Sequence, residues 1–78
     1  MTDAQLRAWH EMFAVGDRVR HYGTKQWGAV IEVRPVSYGV ELVVDHVDGD
    51  ADSTVRHYWE GSRIDQHRRA GERAVRFP

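Results

Sequence analysis

The apolar positions of this chain change period once. Leu6, Trp9 and Phe13 fall three and four residues apart, one stripe of a helix that Ala8 and Met12 widen. Thr2 followed by Gln5 has capping-box spacing, and Gly16 closes the pattern, so the spacing predicts a helix over roughly residues 3–13. A helix that short is unstable alone and must dock. The expectation is that Trp9 and Phe13 plug one end of a β core.

Beyond Gly16 the period falls to two. Asp17 to Tyr22 reads as a first strand with Val19 between Arg18 and Arg20. Trp27 to Arg34 is the strongest strand, with Ala29, Ile31 and Val33 on one face and Pro35 as its terminator, because proline cannot donate to a ladder. Val40, Leu42 and Val44 alternate in a third strand, Val40 to Asp45. Thr54 to Trp59 gives a fourth, and Arg63 to Asp65 a short closing strand. Turn signals separate them at Gly23–Gln26, Ser37–Gly39 and Asp48–Asp50, with a tight or 3₁₀ connection at Glu60–Ser62. Residues 66–78 have no clear period and read as a basic arm.

Five short strands at this spacing suggest a small barrel or sandwich, and a closed barrel would leave so short a chain without open edges. The fold expected is mainly β: a five-stranded SH3-like barrel over residues 15–65, a short N-terminal α-helix within 1–14 packed on it, and a C-terminal arm over 66–78. Val19, Ile31, Val33, Leu42, Val44 and Ile64 are expected to be buried together.

Gly16-Asp17-Arg18-Val19-Arg20, followed by Gly28-Ala29-Val30-Ile31-Glu32-Val33, resembles the opening of KOW-type and Tudor-like barrels. There a GDxV strand leads through a turn into a GxVxxV strand. Tyr38 to Val44 is similar to their third strand. Tyr58-Trp59-Glu60-Gly61-Ser62-Arg63-Ile64 is similar to their aromatic strand, 3₁₀ turn and last strand. The resemblance covers about residues 15–65 and implies a fold more than a function, since such barrels serve transcription and ribosomal factors, helicase appendages, methyl-ligand readers and phage structural proteins. The chain departs from the nucleic-acid-binding KOW pattern in its first loop, which holds only Lys25 where a basic, glycine-rich loop is expected.

Charge sharpens this picture. The 78 residues carry a net charge of −1, distributed as +1 over residues 1–38, −5 over 39–65 and +3 over 66–78. The strongly basic footprint usual for a nucleic-acid binder is missing, and an acidic middle beside a basic tail remains. There are no cysteines, so neither a disulfide nor a thiolate metal site supports so small a core. No stretch approaches the roughly 20 apolar residues that span a membrane. The first residues lack a positive region followed by an apolar block, so the expected location is the cytoplasm of a cell or of a phage-infected host.

Chemistry-bearing patterns are few. Asp48-x-Asp50-x-Asp52 matches the start of a calcium loop, but Ser53 stands where the sharp-turn glycine is needed and Trp59 where the bidentate glutamate is needed. A solvated acidic turn is expected instead. The histidines, His10, His21, His46, His57 and His67, form no close ligand pair on a helix, although His21 and His57 could become neighbours across strands. Ser37, Ser53 and Ser62 have no nucleophile-elbow context, and a small barrel filled by its own side chains leaves little room for a substrate pocket. The expectations are therefore no catalytic residue, no metal, no cofactor and no small-molecule substrate.

What remains is recognition. Trp27 and Tyr38 flank turns where such barrels bind ligands, and Arg18, Arg20 and Arg34 lie on strands at mostly outward parity. They could form a basic stripe or pair with Glu32, Glu41 and Asp45 across strands. In the arm, Arg68, Arg69 and Arg73 are interleaved with apolar residues that include Phe77. These nine residues are the expected partner-binding set. Near-neutral charge and a mixed apolar-basic tail favour a small protein-binding adaptor or accessory subunit of a larger assembly, with a protein partner or self-assembly expected and no membrane. The arginine-rich, GC-rich style and small size resemble actinobacterial or phage-encoded proteins. The alternative is a KOW-like nucleic-acid-binding module acting in transcription, translation or DNA processing, with the arginines on phosphates and Trp27 or Tyr38 stacking on bases.

Overall fold

The computed structural model describes residues 12–70. Of the predicted N-terminal helix only Met12 and Phe13 fall in that span. Trp9, Arg73 and Phe77 lie outside the described residues.

Five strands follow in order: β1 (Arg18–His21), β2 (Trp27–Val36), β3 (Gly39–Asp45), β4 (His57–Glu60) and β5 (Ile64–Arg68). A single 3₁₀ turn, Gly61–Arg63, joins β4 to β5. All pairings are antiparallel, in one sheet of order β4-β3-β2-β1-β5. The sheet is not closed into a barrel, which corrects the closed SH3-like form expected above. Among the described residues both ends of the order are edges: β4 hydrogen-bonds to β3 and β5 to β1, and no ladder links β4 to β5. The physical reason is the tight 3₁₀ turn. It carries the chain straight from one edge to the other, where the Arg63 carbonyl accepts the Tyr22 N–H at 2.9 Å and β5 pairs along β1.

The core lies on one face of the sheet. Val19, Val30, Val40, Leu42, Val44, Val47 and Trp59 pack together with Phe13, and Val33 and Ile64 lean on them half-buried. Phe13 thus takes the capping place expected of it. Ile31 does not take the core place expected of it, because β2 contains a bulge. Val30 pairs with Val44 and Glu32 with Val43, leaving Ile31 as the extra residue. On a regular strand Val30 and Val33 would face opposite ways. The bulge turns both toward Leu42 and Val44, and moves Ala29 and Glu32 together to the outer face.

Pro35 does not end β2. It pairs with Val40, and the strand continues to Val36 before a two-residue turn at Ser37 and Tyr38. β1 covers β2 only from Trp27 to Ala29, so the missing proline N–H faces a side without a strand. β5 runs on to Arg68, taking into the sheet residues that the sequence pattern assigns to the arm.

Candidate functional site

Strand register places the expected residues. Arg18 pairs with Ala29 and Arg68, and Arg20 with Trp27 and Gln66. Opposed residues share a face, so Arg18, Arg20, Trp27 and Arg68 all stand on the outer face, opposite Val19 and Gly28. The Arg68 guanidinium lies 5.3 Å from the centre of the Trp27 ring, within cation–π range. Arg18, Arg68 and Arg69 line a groove of about 200 Å³ with Gly16 and Ala70. Five of the expected partner-binding residues therefore meet at one corner.

Arg34 and Tyr38 do not join them. They sit at the β2–β3 hairpin, and Arg34 is seven residues along β2 from Trp27, roughly 20 Å at strand spacing. Tyr38 is 65% exposed at the hairpin tip.

Most strand cations are already matched by carboxylates. Arg34 lies 3.5 Å from Glu41 and 3.6 Å from Glu32, and Arg20 lies 3.5 Å from Asp65. Lys25 approaches the same Asp65 at 3.9 Å, and Arg18 reaches Asp48 at 3.8 Å. These long, partly exposed pairs contribute under about 1 kcal/mol each. Their effect is to make the expected basic stripe a face of alternating sign. Among the described residues Arg68 and Arg69 have no carboxylate partner.

The basic corner is held by a group that the sequence reading does not single out. Asp17, just before β1, is 3% exposed. Its Oδ1 accepts the Ala70 N–H at 3.0 Å, and its Oδ2 accepts the Ala14 N–H at 3.0 Å and the His67 Nε2–H at 2.6 Å. Burial alone would raise the carboxyl's pKa. The hydrogen bond from His67, those from the Ala70 and Ala14 amides, and the positive charge His67 can carry outweigh that and hold it below the ordinary value. Only the GDxV pattern marks Asp17 in the sequence, and nothing there indicates a partner so far along the chain.

The acidic segment is an internally bonded turn. Asp50 accepts from His57 Nε2 at 2.7 Å, and the Asp48 carbonyl accepts from Gln26 Nε2 at 2.7 Å. The Thr54 hydroxyl and amide both donate to Asp52, in that order of weight, and hold its carboxyl below the ordinary range. His21 and His57 do not meet as ligands: their rings pack against Trp59 at 5.2 and 6.0 Å. Among the described residues no group of three or more His, Asp or Glu side chains is placed to hold a metal ion.

Two adjacent residues divide as strand alternation requires. Trp59 is buried in the core, while Tyr58 stands on the outer face, 59% exposed. Tyr22 is also exposed, its hydroxyl accepting from Arg63 at 2.7 Å. Comparison with protein-family models, with curated proteins and with solved structures finds no match to this chain, and what stands is a small domain built on one five-stranded antiparallel sheet.

Proposed function

We propose that this chain is a non-enzymatic protein-binding module, a small adaptor or accessory subunit that works in the cytoplasm of a cell or of a phage-infected host. The observation that carries this reading is the pairing of Arg18, Arg20 and Arg34 with carboxylates. A face of alternating charge repels a continuous polyanion in places. It suits a partner whose own charges alternate, or a further copy of the chain. Exposed Tyr22, Tyr38 and Tyr58 add the aromatic contacts that protein interfaces favour. The order of an aromatic strand, a 3₁₀ turn and a last strand supports kinship with KOW-type and Tudor-like domains, here with the sheet left open.

A second reading has its own support. Arg68 and Arg69 without carboxylate partners, beside Trp27, suit a phosphate and a stacked base, the KOW-like alternative. Affinity capture from the native host, with and without nuclease and followed by mass spectrometry, separates the two. Protein binding predicts a complex that survives nuclease. Nucleic-acid binding predicts its loss, together with a steep salt dependence in oligonucleotide titrations.

A further inference from the structure

The groove at the end of β5 combines three features. Three arginines, Arg18, Arg68 and Arg69, line about 200 Å³. Among the described residues Arg68 and Arg69 have no carboxylate partner, and Arg18 has one only at 3.8 Å, with both side chains open to water at 40% and 61% exposure. An incoming carboxylate can replace so loose a contact at little cost. Trp27, outside the groove lining, places an apolar ring under the Arg68 guanidinium.

The groove is also built on fixed backbone. Asp17 binds the Ala70 amide and His67, on either side of the two arginines, while Gly16 packs toward the Ala70 methyl. Arg68 and Arg69 therefore leave a backbone pinned at both flanks, which reduces the ordering cost of using them.

Resting on the protein-binding reading above, we infer that this groove receives an acidic segment of the partner protein, a glutamate or aspartate with an apolar residue beside it. Each guanidinium can present two parallel N–H groups to a carboxylate, a geometry that lysine lacks. A nucleic-acid strand is disfavoured by what borders the groove. Asp48, which begins the Asp48–Asp52 turn, reaches Arg18 of the groove, and Asp65 pairs with Arg20, the next outward residue of β1. A strand carrying a phosphate at every nucleotide would have to run past these carboxylates, whereas a peptide can place one or two charges and stop.

The test uses the full chain and a short fluorescein-labelled peptide carrying glutamates beside a leucine, read by fluorescence anisotropy. An oligo-dT of equal charge is the comparison. The expected result is saturable peptide binding that Arg68→Glu/Arg69→Glu weakens by about tenfold or more, the scale of a lost charge-assisted hydrogen bond. Arg56→Glu, the same change of charge at an exposed position outside the groove lining, should leave it unchanged. Matching thermal unfolding curves would show that the double variant folds, and Arg18→Gln supplies a second, milder perturbation of the same groove. Absence of peptide binding, or binding indifferent to both groove variants, overturns the inference. Oligo-dT binding tighter than the peptide and lost in the same variants assigns the groove to phosphates and overturns it too. A nuclease-resistant host complex that persists with Arg68→Glu/Arg69→Glu would sink this inference and leave the protein-binding reading standing. Loss of the host complex on nuclease treatment would sink that reading itself.

Discussion

The Asp17 carboxylate and the His67 imidazole, 50 positions apart, meet at 2.6 Å with the Phe13 ring centred 5.0 Å from the imidazole. The contact ties the entry of β1 to the end of β5. It adds a side-chain tie to the β1–β5 ladder, which holds an edge strand from one side only. The carboxylate carries no proton to share, so Nε2–H of His67 donates, and the two amides donate to the same group.

Asp17→Asn is expected to lower stability by about 1–3 kcal/mol near neutral pH, since its NH₂ group would face donors that now meet oxygen. The pH dependence has a definite sign. Asp17 titrates lower in the folded chain than in the unfolded one. Its stabilisation is therefore complete above the unfolded value, about 3.9, and is lost as pH falls through the lower folded value. Denaturant unfolding across acid pH should show a steeper loss below about pH 4 for the wild type than for Asp17→Asn. Equal slopes would mean that this carboxyl does not couple to folding.

Two truncations separate the arm from the sheet. Ending the chain after residue 70 retains His67 and the Ala70 amide on Asp17, and the sheet should stay cooperative in thermal unfolding. Ending it after residue 66 removes both donors and the end of β5. A buried carboxylate left with only the Ala14 amide costs about 3–5 kcal/mol, enough to unfold a domain this small. Equal melting temperatures for the two would place the structural boundary where the sequence pattern does, near residue 65.

Gly61 opens the 3₁₀ turn with no room for a side chain. A Cβ there would stand 2.5 Å from Val40 Cγ1 and 3.3 Å from Phe13 Cε2. Val40 is buried and its branched side chain has few alternative rotamers, so Gly61→Ala must push the turn off the core. The expected loss is about 1–3 kcal/mol, measured by urea unfolding. The double variant Gly61→Ala/Val40→Ala should recover part of it, because the second change removes the obstructing methyl groups.

Much of the strand plan was legible because alternation, glycine turns and an apolar third strand all point the same way. Val40, Leu42 and Val44 are buried as their spacing requires, and Tyr58 and Trp59 divide between the two faces. The corner of Arg18, Arg20, Trp27 and Arg68 was legible residue by residue, the first two from outward parity, Trp27 from the turn beside it and Arg68 from the charge of the tail, all of them local signals. Their convergence was not, because it depends on β5 pairing with β1 rather than with β4. The Asp17 contacts were invisible for a related reason: hydrogen bonds from distant backbone amides leave no periodic mark. Asp65 shows the same limit. It is the unpaired residue where the β1–β5 register shifts, and from there it meets Arg20 and Lys25.

The second register shift carries the last prediction. Ile31 has no partner on β3, and its presence sets which faces Val30 and Val33 occupy. Ile31→Ala removes only half-buried methyl groups and should cost about 1–2 kcal/mol, less than full truncation of a core aliphatic. Deleting Ile31 is a different perturbation. It removes the one residue that β3 does not pair, so Glu32 follows Val30 directly while the pairs Val30–Val44, Glu32–Val43 and Val33–Leu42 are kept. Val30 and Val33 then face the core in plain alternation, and Glu32 stays on the outer face. The deletion should therefore keep cooperative unfolding and the near-ultraviolet circular dichroism of buried Trp59, as Ile31→Ala does. Loss of both on deletion would mean that the bend and added twist of the bulge, and not the facing of Val30 and Val33 alone, seat β2 on the core.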